Sequence, residues 1–189
     1  MKFLRSLCAP SLSLGLLAAA CSAQEVIHAL TGTVRSIGAS EKSLVIFQDS
    51  GRQMMFKGSG NAKVRAALQK KFGDETISVD GLKAEGAYVI VFYYGGGDEP
   101  MAVALKDLGR GPFTATSGTV AKFDSRKRLV TVQDETGTLH TFKISGDTVV
   151  EGAMGVVDGP KFSPEMGARL RVVATKADVE DIALFLVQN

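Results

Sequence analysis

Two histidines and a scatter of methionines are the side chains here whose types suit metal chemistry. His28, His140, Met54, Met55, Met101, Met154 and Met166 offer imidazole and thioether donors, and His140 stands in the second half of the chain where Met54 stands in the first. Such a mixture suits Cu(I), which would make the protein a periplasmic metal carrier. A copper site gathers several ligands on one face, whereas each half supplies one or two. The expectation is therefore no metal site and no cofactor, with histidines isolated on strands and methionines filling core.

Other constellations are equally sparse. Calcium takes about six to eight oxygens from a loop of defined spacing, and neither Lys176–Asp181 nor the pair Asp98-Glu99 after Gly95-Gly96-Gly97 has that spacing; both suit solvated hairpin tips. The three glycines follow a strand pattern but lead to Pro100 and another strand, so they form no phosphate loop at a helix N-terminus. The two cysteines, Cys8 and Cys21, lie at the extreme N-terminus and give no Cys/His pair. No nucleophile elbow or zinc-protease helix is present. Catalytic residues are thus expected to be none. Tyr88, Phe92, Tyr93 and Tyr94 could form a stacking platform. Alternation puts Tyr88, Ile90, Phe92 and Tyr94 on one strand face, expected to be a barrel core, with Val89, Val91 and Tyr93 on the other.

Lys2 and Arg5 precede the apolar run from Ser11 to Ala20, the pattern of a secretory signal. The run is too short to cross a bilayer, which takes about 20 apolar residues, and no later stretch is longer and free of charge. No membrane-spanning segment is expected in the mature chain. Cleavage after Ala23 makes the signal residues 1–23. The Leu17–Cys21 segment resembles a lipobox, in which case the signal is residues 1–20 and Cys21 carries a lipid anchor to the envelope. Either way the protein is expected to be periplasmic or secreted. The mature fold then has no disulfide to rely on. The net charge of +2 belongs to Lys2 and Arg5, because residues 24–189 hold 20 basic and 20 acidic side chains. Without a basic excess, nucleic acid is not an expected partner; an envelope protein or a small ligand is.

The mature part repeats itself. Thr31-Gly32-Thr33-Val34 returns as Ser117-Gly118-Thr119-Val120, and Ser43–Asp49 aligns with Arg128–Asp134 if the second half has lost one residue from its first loop. Phe56-Lys57 matches Phe142-Lys143, Gly86–Val91 matches Gly167–Val172, and Ala102–Leu105 matches Ala183–Leu186. The spacing shrinks in the middle of the repeat, and the order is kept over almost the whole mature chain, as duplication of a domain requires. The copies are placed at 26–108 and 114–189 with a Gly/Pro linker at 109–113.

Each copy reads as short strands. Apolar, β-branched runs are separated by Asp49-Ser50-Gly51 or Asp134-Glu135-Thr136-Gly137, and two further strands lie at 87–94 and 101–106, or at 168–175 and 181–187. Val64, Ala67, Leu68 and Phe72 fall on one face of a helix that Gly73 ends. Residues 147–164 of copy two, richer in Gly and Pro, predict a shortened or absent helix. Three strands, a helix and two strands is the order of an OB-fold. The expected fold is mostly β, with two tandem small OB-like β-barrels and a short helix between strands 3 and 4 at least in the first copy.

The Gly-Thr-Val opening, the Leu-Val-x-Val-Gln-Asp hairpin and the Gly-Ala-Arg-Leu-Arg-Val strand resemble exported bacterial small-barrel domains, OB-like and often in tandem, that are known as domains of unknown function. That resemblance implies a fold and an envelope location and carries no site residues. The function expected is a non-catalytic envelope binding or interaction module, acting through a barrel face or the groove between copies. A hydrolase with a site between the copies is the alternative, and the metal carrier a weaker one.

Overall fold

The structure is a computed structural model, and it describes residues 26–38, 42–73, 75–82, 85–97 and 100–188. Cys8, Cys21, the signal and the pair Asp98-Glu99 lie outside those residues. The described chain is mostly β, arranged as two six-stranded sheets. In the first, β1 (His28–Gly38), β2 (Ser43–Gln48) and β3 (Gln53–Gly58) form a meander. Next come β4 (Thr76–Ile77), β5 (Tyr88–Tyr94) and β6 (Met101–Asp107), in the order β3-β2-β1-β5-β6-β4. β3 also meets β6 in parallel at Lys57↔Met101 and Gly58↔Ala102, which closes five strands into a ring.

The second sheet contains β7 (Phe113–Asp124), β8 (Leu129–Asp134), β9 (Leu139–Gly152), β10 (Gly155–Asp158), β11 (Arg169–Thr175) and β12 (Asp181–Gln188). Its order is β10-β9-β12-β11-β7-β8, and β8–β9 pairing completes the same kind of ring. The helix α1 (Ala62–Phe72) follows β3, as the apolar spacing requires. Asn61 caps it by accepting from the Val64 amide, Leu68 and Phe72 are buried, and Gly73 stops it at φ 94°. In the second sheet the corresponding chain stays extended: Thr148-Val149-Val150 is a β-branched run, and β9 continues through it before folding back as β10.

Strand starts and pairing registers of the two halves keep a spacing of 86 residues through their first three strands, which corrects the sequence alignment. β2 and β8 start at Ser43 and Leu129, β3 and β9 at Gln53 and Leu139. Lys42 and Arg128 both hold positive φ, and Gly51 and Gly137 close equivalent turns. No residue is lost in the second half's first loop. The Gln-Asp identity misled the alignment: Asp134 occupies the place of Gln48, and Glu135 that of Asp49. From β5 and β11 onward the spacing is 81, so the length difference does lie between the third and fourth strands.

The interiors follow the same register. Val34, Leu44, Ile46, Phe56, Val89 and Val91 fill the first ring, and Val120, Val130, Val132, Phe142, Leu170 and Val172 the second. A third apolar cluster joins the two sheets: Ile90, Phe92, Ala104 and Phe72 from the first half pack with Val149, Val173 and Phe185 from the second. This overturns the expected orientation of β5. Val89, Val91 and Tyr93 face the barrel interior, whereas Tyr88, Ile90, Phe92 and Tyr94 face the other half. A strand buried on both faces reads the same by alternation whichever side is inside.

Candidate functional site

Strands β1, β5, β9 and β11 bring polar side chains to the rim of the apolar seam. Asp49, at the β2–β3 turn, accepts on one oxygen, Oδ2, from the Thr31 hydroxyl at 2.9 Å, from the Tyr88 hydroxyl and from the Arg171 guanidinium. Arg171 belongs to the second half, and its other terminal nitrogen lies 3.4 Å from Thr31 Oγ1. Along the same rim Glu151 reaches back to the first half: Oε1 is 2.6 Å from His28 Nδ1, and Oε2 accepts from the Ala29 amide at 2.7 Å.

Between these two anchors runs a groove of about 430 Å3, with Ala29, Leu30, Phe185 and Val187 along it and Asp49, Arg171 and Glu151 at its polar positions. On the far side of Arg171 a smaller hollow of about 280 Å3 is lined by Ser117, Thr119, Asp134 and Arg169 among others. Arg171 therefore stands as the partition between two concavities.

The electrostatics favour holding protons over moving them. Burial, and then donation to Asp49, pushes the Tyr88 phenol up to about 12. Burial also raises the Glu151 carboxyl, against the lowering effects of His28 and the Ala29 amide. Tyr93 is raised by burial and by the nearby Glu151 charge. In the second half's hairpin, the Thr136 hydroxyl and then His140 hold Asp134 well below the usual carboxylate range.

The side chains singled out in the sequence fall as follows. His28 sits at the seam; His140 is in a hairpin, 2.8 Å from Asp134 Oδ2. Met54, its counterpart, accepts from Gln48 Nε2 at 2.7 Å, so the same cross-hairpin contact is made in both halves by different chemistry. Met55, Met154 and Met166 are exposed and Met101 begins β6. Among the described residues, no three His, Cys, Asp or Glu side chains gather where they could hold a metal. That includes the loop Lys176–Asp181. Gly95 and Gly97 adopt positive φ between β5 and β6, a turn role. Tyr88, Phe92 and Tyr94 are drawn into the seam and Tyr93 against Phe56, so the four form no common stacking face.

Asp49, Thr31, Glu151 and Arg171 were missed because none belongs to a catalytic or ligand-binding motif. One signal was present: aligning the copies sets Arg171 against Ile90, a guanidinium against a buried isoleucine. An arginine at a position the repeat makes apolar needs an acceptor, and the other half supplies it.

No family model matches the chain, and no curated protein matches it.

Proposed function

We propose that this protein is an exported, non-catalytic binding module of the cell envelope, built from two duplicated OB-like barrels at 26–108 and 114–189 joined by residues 109–113. The ligand-binding place is the seam groove. The ring order, in which the first strand pairs with the second and fourth and the third lies parallel to the fifth, supports the OB-like reading. Matching strand starts, at a spacing of 86 residues for β2/β8 and β3/β9 and of 81 for β5/β11, support duplication. The short apolar run behind Lys2 and Arg5 supports export, with Cys21 as the candidate lipid attachment. Among the described residues no helix is long and apolar enough to cross a membrane.

The observation that carries the binding reading is the mutual neutralisation at the groove. Asp49 is met by Arg171, Thr31 and Tyr88, and Glu151 by His28 and the Ala29 amide. A hydrolase needs a nucleophile delivered to a base. Among the described residues, each histidine is hydrogen-bonded to a carboxylate and to no hydroxyl. What the groove offers is an apolar wall with fixed polar positions, the makeup of a recognition site.

The test is native mass spectrometry of the protein taken from its own envelope, followed by thermal-shift screening of whatever co-purifies, with Arg171→Ala as the control. A co-purifying small molecule or protein whose stabilising effect disappears in Arg171→Ala supports the reading. A bare chain that turns over an ester, amide or glycoside substrate overturns it.

A further inference from the structure

A second concavity lies away from the seam rim, along α1. One helix face, Asn61, Val64, Leu68 and Lys71, forms one wall; Ile27, Tyr94 and Val156 face it. The space is about 520 Å3, within the range of about 300–1,000 Å3 that small-molecule sites occupy. Its helical lining runs from Asn61 to Lys71, about 15 Å at about 1.5 Å per residue. Its middle is apolar and its ends are not.

The charge on α1 is one-sided. Lys63, Arg65, Lys70 and Lys71 lie on α1, and residues 62–72 contain no acid. Lys71 is 3.6 Å from Asp158, and Arg65 acts electrostatically on Asp80. Lys63 and Lys70 are exposed and make no ion pair among the described residues. A local run of four cations stands out in a chain whose residues 24–189 balance 20 basic against 20 acidic side chains.

The position of the chain's start bears on the same face. Ile27 both lines the groove and accepts a hydrogen bond from the Val156 amide at 2.8 Å. Cys21 precedes Val26 by five residues, a reach of at most about 17 Å. A lipid on that cysteine would hold this face within reach of a bilayer.

We propose that the α1 groove binds the alkyl chain of an anionic amphiphile, its carboxylate or phosphate headgroup lying on Lys63 and Lys70. The source is the surrounding membrane. The claim is independent of the seam groove, so Arg171→Ala leaves it unchanged.

The experiment uses the chain cut after Ala23, which carries no covalent lipid, titrated with palmitate, with lyso-phosphatidylglycerol and with the uncharged detergent dodecyl maltoside. Ala67 is exposed beside the groove, and Ala67→Trp fills it without disturbing the core. Expected results are saturable binding of an anionic probe, weakened about tenfold or more by Ala67→Trp. The Lys63→Glu/Lys70→Glu variant weakens the anionic probes and leaves the uncharged one unchanged, and added salt does the same. Lyso-phosphatidylglycerol binding, with flotation on phosphatidylglycerol vesicles but not phosphatidylcholine vesicles, supports the membrane as the source; binding of palmitate alone overturns it. Absence of binding by either anionic probe overturns the proposal. So does binding that Ala67→Trp leaves intact, checked against an unchanged circular dichroism spectrum.

Discussion

At the scale of single residues, the seam depends on Arg171 and the carboxylate it meets. Both side chains of the pair keep about a quarter of their exposure, so solvent screens them in part. The expected cost of Arg171→Ala is about 1–2 kcal/mol, below the range for fully buried pairs. Denaturant unfolding of the variant measures it. Tyr88 gives a second test. Its folded pKa of about 12 lies above the ordinary value of 10, so the stability it contributes is complete below pH 10 and is lost as pH rises toward 12. Ultraviolet titration of phenolate is expected to show one tyrosine ionising near 12 that is lost in Tyr88→Phe, and the same substitution to remove the steepest part of the alkaline stability loss between about pH 10 and 12.

At the scale of strands, the repeated Gly-Thr-Val opening has a steric cause. A Cβ at Gly32 would meet the Phe47 carbonyl, and one at Gly118 the Gln133 carbonyl. Both contacts are with backbone that cannot swing away. Gly32→Ala and Gly118→Ala are each expected to destabilise by about 1–3 kcal/mol, read from shifts in the unfolding midpoint. Gly51→Ala, in open space but at φ 81°, is expected to cost only the conformational penalty, about 1–2 kcal/mol. The strands, turns and helix were legible in the sequence because alternation, turn residues and helical spacing are local signals. The facing of β5 was not, since both its sides are apolar. The seam was not either, because Thr31, Asp49, Glu151 and Arg171 are spread over the two halves and each alone reads as an ordinary polar strand or turn residue. The fate of residues 147–164 was half visible: loss of a helix could be read, its replacement by the β9 extension and β10 could not.

At the scale of the whole molecule, the two halves share too much apolar surface to act as beads on a linker. Phe92 and Phe72 stack at 5.1 Å and join Val149, Val173 and Phe185. The buried Lys106 ties the carbonyl at the end of α1, Phe72 O at 2.9 Å, to Asp147 O of the other half at 3.3 Å. The expected result is one cooperative unfolding transition. Phe185→Ala is expected to cost about 3–5 kcal/mol, as large-to-small changes in a packed core do. Calorimetry distinguishes this from two separate transitions, which would show the halves to be independent.

The seam also sets an order of events while the chain is being made. The wall formed by Ile90, Phe92 and Phe72 is complete once β6 has been synthesised, but its cover comes from Val149 in β9, Val173 in β11 and Phe185 in β12. The N-terminal half therefore has to wait, sticky and half-finished, until β12 has been made. A chain stalled or clipped before β12 would aggregate through that wall, and the cell's holdases would meet this protein as a nascent half before any ligand meets it whole.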